Sequence, residues 1–293
     1  MRLFQTLISL MDFDMKNIPE LSIVIPAYNE EARIGTTLQE YLKKFQDKFQ
    51  DKFELVVVLN GCKDRTLEII QSFQKEFPQL RYLNIPEAIG KGGALTEGFK
   101  SANGEIIGFT DADASTSADT FFNLYKVLIN FPQIDAIIGS RNLPESIVKG
   151  RTKSRKIMTS GFNFGINFLF NLQIKDTQCG AKLIRKHPLK KIIPHLSIAN
   201  MAFDVNLLVD LKRFGYKILE FPILWEDSQD STIKNPARVA MTMALAIIRL
   251  RLIYSPLKKI YPLIDYLARP LYELLLKDKQ KKTYENWKKS QTP

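Results

Sequence analysis

Short, almost uninterrupted apolar runs alternate along the first half of the chain with stretches in which apolar positions return every three or four residues. LSIVIPA (21–27), FELVVVLN (53–60), LRYLNIP (80–86), EIIGFT (105–110) and DAIIGS (135–140) read as strands. Between them EEARIGTTLQEYLKKF, KDRTLEIIQSFQKEF, KGGALTEGFKSA and ADTFFNLYKVLINF have helical spacing. Strands that are apolar throughout need cover on both faces, so the pattern predicts an α/β fold: a mainly parallel sheet with helices on both sides. Ligands of such sheets sit beyond the carboxyl ends of the strands. Tyr28, Asn60, Asp111, Asp113 and Arg141 all fall at predicted strand ends, which places them on one rim.

After Arg141 the pattern changes. A basic stretch leads into the aromatic segment IMTSGFNFGINFLFNLQI and then into the polar turn KDTQCGAK. AFDVNLLVDLKRFG reads as an amphipathic helix, YKILEFPILWED as a further strand, and the sequence from Pro236 onward as helical, apolar and basic. The expected organisation is a short lead-in (1–20), one α/β domain (21–235) and C-terminal amphipathic helices (236–293).

The 293 residues carry a net charge of +11, which favours anionic partners without choosing among nucleic acid, phospholipid and phosphorylated substrates. Cys62 and Cys179 lack metal-ligand spacing and suggest a reducing, cytoplasmic setting. His187 and His195 lie in a basic stretch and suit the surface better than a triad or a zinc site. No apolar run reaches the roughly 20 residues a spanning helix needs, so the expectation is peripheral association with the cytoplasmic face of a membrane.

The chemistry starts at TDADAST. Two carboxylates one residue apart repel each other unless a cation lies between them, and Mg²⁺ takes one or two protein carboxylates together with substrate phosphates. A strand-end turn with solvated acids gives the same pattern. GKGGAL (90–95) opens a helix with glycines that let backbone N–H groups approach a phosphate, and Lys91 adds a point charge. It matches neither a P-loop nor a dinucleotide fingerprint. In VIPAYNEE, Tyr28 and Glu30 are placed to contact a base or ribose.

With these motifs on view, the sequence resembles glycosyltransferase family 2, with a GT-A (Rossmann-like) fold, and within it the polyprenyl- and dolichyl-phosphate sugar transferases. The resemblance rests on VIPAYNEE, GKGGAL, TDADAST, IIGSRN, KDTQCGAK, AFDVNLL and EFPILWED, in that order, over residues 21–234. It implies inverting transfer of a hexose from a nucleotide sugar, UDP-glucose being favoured, to a polyprenyl phosphate, with Mg²⁺ or Mn²⁺. Pro26, Ala27, Tyr28, Glu30, Asn60, Asp64, Lys91 and Ala112 would bind the nucleotide sugar together with Asp111 and Asp113. Asp111, Asp113 and Ser115 would hold the metal. Arg141, Arg155 and Lys156 would bind the acceptor phosphate, and Asp176 and Gln178 would complete the catalytic set by facing the donor sugar or acceptor phosphate. One departure is plain: the family's Asp-Asp-Gly-Ser after the second strand is LNGC here, so Asn60 brings hydrogen bonds but no charge.

A phosphate acceptor is already anionic and needs cations to hold it rather than a general base to activate it. The segment 141–156 supplies six Lys and Arg against one Glu. The aromatic segment after it fits either an interfacial helix or a core helix, and the tail fits a membrane surface. Competing readings are a family 2 transferase using GDP-mannose or a soluble phosphorylated acceptor, a nucleotidyltransferase, and a nucleic-acid binder. No nucleic-acid motif supports the last.

Overall fold

The computed structural model describes residues 18–228 and 236–256, and for 153–155 and 236–238 it describes the backbone alone. Most of the expected lead-in, and the tail beyond residue 256, lie outside the described residues.

Seven strands form the central sheet in the order β3-β2-β1-β4-β7-β5-β8. These are β1 (Leu21–Ala27), β2 (Phe53–Asn60), β3 (Leu80–Ile85), β4 (Ile106–Phe109), β5 (Ala136–Ser140), β7 (Lys182–Arg185) and β8 (Ile218–Pro222). A separate parallel pair joins β6 (Ile147–Lys149) to β9 (Leu224–Glu226). Helices are α1 (Ile34–Phe49), α2 (Thr66–Glu76), α3 (Gly90–Ser101), α4 (Ala118–Asn130), α5 (Lys153–Phe170), α6 (Lys186–Ile192), α7 (Phe203–Arg213) and α8 (Pro236–Ile253).

The continuous apolar character of the strands has the expected cause. In β2, Phe53, Leu55, Val57 and Leu59 pack on one face with Ile34, Leu38, Tyr41 and Phe45 of α1 and Phe121 of α4. Val56 and Val58 pack on the other with Leu95 and Phe99 of α3 and Phe203 of α7. Both faces are dry, so period-2 alternation disappears from the sequence. A third cluster joins α5, α7 and α8 through Ile166, Leu208, Ala246 and Leu250.

Two features differ from the sequence reading. The polar turn KDTQCGAK runs straight into β7, which lies antiparallel between β4 and β5. Four residues beginning with a lysine carry no strand signature, and Lys182 is nonetheless fully buried. The single strand expected over 216–227 is two, since β8 ends at Pro222 and β9 resumes at Leu224 to pair with β6. β4 and β5 both oppose β7 and so run parallel to each other and to β1, which brings the carboxyl ends of β1, β2, β4 and β5 to one rim.

Candidate active site

A cavity of about 430 Å³ opens at that rim. Twelve of the residues singled out in the sequence line it: Pro26, Ala27, Tyr28, Glu30, Asn60, Lys91, Asp111, Ala112, Asp113, Ser115, Arg141 and Gln178.

The acidic end is wired to two lysines. Lys91 Nζ lies 2.8 Å from Asp111 Oδ1 and 3.5 Å from Asp204 Oδ2. Asp204 Oδ1 in turn lies 2.5 Å from Nζ of Lys182, and those two side chains are 2% and 0% exposed. Four charges of alternating sign therefore run from the core to the cavity wall. Burial works against the Lys91 ammonium, but Asp111 and Asp204 outweigh it and hold its pKa above the ordinary lysine value. Burial likewise opposes ionisation of Asp111, and Lys91, with Lys182 and Arg141, more than offsets it.

Asp111 keeps 38% of its side chain exposed. Asp113 stands on a turn in which Ala114 takes φ +57°. Asp113 Oδ1 accepts from the Ser115 amide (3.1 Å) and hydroxyl (2.6 Å), and Oδ2 accepts from the Ser228 hydroxyl at 3.3 Å. Ser115 thus braces Asp113. Gly180 packs against Asp111 so closely that a Cβ there would overlap the carboxylate.

These donors suit a hard divalent cation that shares substrate phosphates. Among the described residues no three His, Cys, Asp or Glu side chains cluster into an all-protein cage. Of the carboxylates that line the cavity, Asp111 and Asp113 stand together after β4, and one or two is the number that Mg²⁺-type sites use when phosphates supply the remaining ligands. Glu30 senses the unbalanced charge. Burial raises its pKa, Arg33 pulls it down through bonds of 2.8 and 2.5 Å, and Asp113 and Asp111 push it up again.

Arg141, also on the cavity lining, is held from two sides. Its Nε and Nη2 donate to Asp176 Oδ2 and Oδ1 at 2.7 and 2.9 Å, and its backbone N–H adds a third bond to Oδ2. Its guanidinium carbon lies 5.3 Å from the Trp225 ring centre, within cation–π range. Asp176 is buried behind Arg141 and does not line the cavity, so the expectation that it faces a substrate is not met. Gln178 does line it.

At the end of β2, Asn60 Oδ1 is buried without a hydrogen-bond partner and its residue faces the cavity. Cys62, in place of the family's serine, donates to the Ala27 carbonyl and accepts from the Asn29 amide. Asp64 lies outside the cavity lining. Its carboxylate accepts from the Thr66 amide and hydroxyl and from the Glu31 amide, tying the start of α2 to the β1–α1 turn.

Two glycines of GKGGAL have their amides occupied within the protein. Gly92 and Gly93 donate their amides to the Ala199 carbonyl at 2.8 and 3.3 Å. A Cβ on Gly92 would collide with the Ile198 carbonyl and Phe203. Close packing of α3 on the 198–200 loop is what requires glycine, and Gly90 and Lys91 alone of this stretch reach the cavity.

Of the expected acceptor cations, Lys156 is exposed on α5 and does not line the cavity, and the Arg155 side chain lies outside the described residues. Sequence reasoning missed Arg33, Asp204, Trp225 and Ser228. Asp204 and Trp225 sit in stretches that were flagged, AFDVNLL and EFPILWED, so a signal existed without a role attached. Arg33 and Ser228 carried none. Val239 and Thr242 of α8 also line the cavity, which ties that helix to the site.

The family description "Glycosyl transferase family 2" matches residues 22–193. A dolichyl-phosphate beta-glucosyltransferase of Trichomonas vaginalis is 34% identical over 232 residues, covering 76% of this chain and 69% of that protein. The Homo sapiens dolichyl-phosphate beta-glucosyltransferase is 32% identical over 240 residues, covering 78% and 73%. Among solved structures, glucosyl-3-phosphoglycerate synthase from Mycobacterium tuberculosis, in complex with Mn²⁺, UDP and glucosyl-3-phosphoglycerate, superposes with TM-score 0.60 at 18% identity over 80% of each chain. A mannosyltransferase from Pyrobaculum calidifontis, in complex with GDP-Man and Mn²⁺, gives TM-score 0.55 at 20% identity over 81% of this chain and 65% of that one. At these identities the structures establish a shared fold.

Proposed function

The chain belongs to glycosyltransferase family 2, and from that premise we propose that it transfers glucose from UDP-glucose to a polyprenyl (dolichyl-type) phosphate, at the cytoplasmic surface of a membrane and with a divalent cation, Mg²⁺ or Mn²⁺. The observation that carries this reading is one cavity that holds both a carboxylate pair and a fixed arginine fork. Asp111 and Asp113 with Lys91, and Arg141 fixed by Asp176 and Trp225, line the same cavity. The names of the relatives supply the sugar and the acceptor class.

Asp111 and Asp113 would hold the cation, which supplies charge neutralisation for the leaving diphosphate. Lys91, 2.8 Å from Asp111, would add a second positive charge. Asn60 Oδ1 offers its unused acceptor to a nucleobase N–H, which uracil has at N3. Arg141 receives the acceptor phosphate, and its fork is pre-oriented by the two bonds to Asp176, so little ordering cost remains when the phosphate arrives. One phosphate oxygen then attacks the anomeric carbon opposite the diphosphate. The bond from that carbon to UDP breaks as the bond to the lipid phosphate forms, which inverts the anomeric configuration. The nucleophile is ionised at neutral pH, so no general base is called for.

The test is transfer of labelled glucose from UDP-glucose, and in parallel of mannose from GDP-mannose, into organic-extractable product with a short polyprenyl phosphate and Mg²⁺ or Mn²⁺. Label from UDP-glucose alone, lost with EDTA, is the expected result. Label from GDP-mannose alone overturns the donor, and label only in a water-soluble phosphorylated acceptor overturns the lipid.

A further inference from the structure

The turn that carries Asp113 is backed by the segment at and after β9. Thr116 pairs with Trp225 in an antiparallel bridge, and the Glu226 amide donates to the Ser115 carbonyl at 3.1 Å. Two residues further on, Ser228 Oγ lies 3.3 Å from Asp113 Oδ2. From the other direction Arg33, the residue that precedes α1, places Nη1 3.1 Å from the same serine oxygen. Its Nε and Nη2 donate to Glu30 Oε2 at 2.8 and 2.5 Å. Glu30, Arg33, Asp113 and Ser228 all line the cavity.

The chemistry of these groups fixes the direction of each hydrogen bond in the row. A guanidinium has donors and no acceptor, so Ser228 Oγ accepts from Arg33. An ionised carboxylate has acceptors and no donor, so the single serine proton goes to Asp113 Oδ2. The other oxygen of Asp113 is used twice, by the Ser115 amide at 3.1 Å and the Ser115 hydroxyl at 2.6 Å. Two bonds fill the two lone-pair directions of Oδ1, so Oδ2 is the oxygen open to a cation. Ser228 takes one lone-pair direction of Oδ2 and leaves the other. Arg33 suits this place as an arginine. Its fork rests on Glu30 with Nε and Nη2 while Nη1 reaches Ser228, and a lysine ammonium cannot make that span.

We propose that Ser228 and Arg33 are positioning residues for the divalent cation: Glu30 anchors Arg33, Arg33 orients the Ser228 hydroxyl, and that hydroxyl holds Asp113 Oδ2 ready to take the metal. Both act through Asp113. The inference rests on the reading of Asp111 and Asp113 as cation ligands and adds to it a brace from a distant part of the chain. Three residues before Ser228, Trp225 lies against the Arg141 guanidinium. One short stretch therefore supports both the carboxylate pair and the arginine fork.

The experiment follows Mn²⁺ binding to the full chain in the presence of UDP by electron paramagnetic resonance. Removing the partner that orients a metal-binding side chain typically weakens metal affinity about tenfold or more, and Ser228→Ala should do so. Its affinity for UDP in EDTA and its thermal melt should stay at the parent level, because only one exposed-side hydroxyl is gone. Ser228→Thr keeps the hydroxyl and should recover most of the loss. Arg33→Lys should also weaken Mn²⁺ binding. The double variant Ser228→Ala/Arg33→Lys should bind no more weakly than Ser228→Ala, since both residues work through one bond to Asp113. The Mn²⁺ concentration for half-maximal glucose transfer should rise with the dissociation constant. Parent-like Mn²⁺ binding by Ser228→Ala overturns the proposal. So do equal losses in the alanine and threonine variants, or additive losses in the double variant. UDP binding in EDTA that falls together with Mn²⁺ binding also overturns it, because the cavity as a whole would then be distorted. Weakened Mn²⁺ binding in Ser228→Ala, with no glucose reaching a prenyl phosphate in the parent, leaves the positioning role standing and overturns the proposed reaction. Transfer by the parent with Mn²⁺ binding unchanged in Ser228→Ala does the reverse.

Discussion

Lys91 and Asp111 meet at 2.8 Å on the wall of the cavity, and the same ammonium reaches Asp204 at 3.5 Å, so one lysine joins a solvent-facing carboxylate to a buried one. Asp204 retains Lys182 when Lys91 is lost. Lys91→Met should therefore fold, with transfer reduced about a hundredfold through the missing charge beside the diphosphate. Steady-state kinetics set beside a thermal melt check this. Near-parent kcat/KM would place Lys91 outside the reacting charges.

Asp113→Asn keeps the shape of the turn and its bonds to Ser115 while removing one carboxylate of the Asp111–Asp113 pair. Transfer should fall by at least about a hundredfold, and Mn²⁺ binding in the presence of UDP, followed by electron paramagnetic resonance, should weaken with it. Undiminished Mn²⁺ binding would show that the cation is held elsewhere.

Gly180→Ala probes the same site from behind. A methyl group there overlaps the Asp111 carboxylate, which has to move toward the cavity or away from Lys91. Overpacking of this kind costs about 1–3 kcal/mol, so a stable protein survives it. The expected outcome is a folded variant with weakened Mn²⁺–UDP binding. Parent-like binding would mean that Asp111 tolerates displacement.

Arg141 and Asp176 separate acceptor binding from stability. Asp176→Ala leaves a largely buried guanidinium without its carboxylate, at a cost of about 3–5 kcal/mol, to be read from urea denaturation. Arg141→Lys keeps the charge and loses the two-pronged bond, so KM for lipid phosphate should rise about tenfold or more while KM for the nucleotide sugar stays level. Equal changes in both constants would remove Arg141 from the acceptor side.

Asp210 gives a pH signature away from the cavity. It is buried in α7 and accepts from Tyr254 at 2.7 Å and from Asn206 at 2.6 Å. Burial raises its pKa above the ordinary aspartate value, and the bonds to Tyr254 and Arg213 offset only part of that. A carboxyl raised on folding contributes stability that is complete below its unfolded value, about 4, and is lost as pH rises through the folded value. Parent stability should therefore decline over the pH range just above 4 by an amount that Asp210→Asn abolishes. Identical slopes in urea titrations of the two proteins would refute this.

Much of the site was legible because its residues follow strands. Asp111 and Asp113, Asn60 and Arg141 each end a run whose apolar continuity marks it as a buried parallel strand, and chain direction then puts them on one rim. Asp64 and Asp176 were read as substrate contacts because their motifs have matching order and spacing. Spacing along the chain does not say which way a carboxylate faces, and the nearest donors decided it: Thr66 and Glu31 amides for Asp64, the Arg141 fork for Asp176. β7 escaped notice because four residues led by a lysine satisfy no periodicity.

The sequence by itself determined the layered α/β architecture, the rim that carries the chemistry and the two-carboxylate turn, since strand continuity, helical spacing and turn residues are local properties. Only the tertiary structure decided that Lys182, Asp204, Lys91 and Asp111 form one ladder, that glycines 92 and 93 serve packing rather than phosphate, and that the aromatic segment turns Ile166 inward and Phe164 and Phe168 outward. The reason is physical. A buried charge is tolerable only beside its counter-charge, and which counter-charge arrives depends on long-range chain crossings that no local pattern encodes.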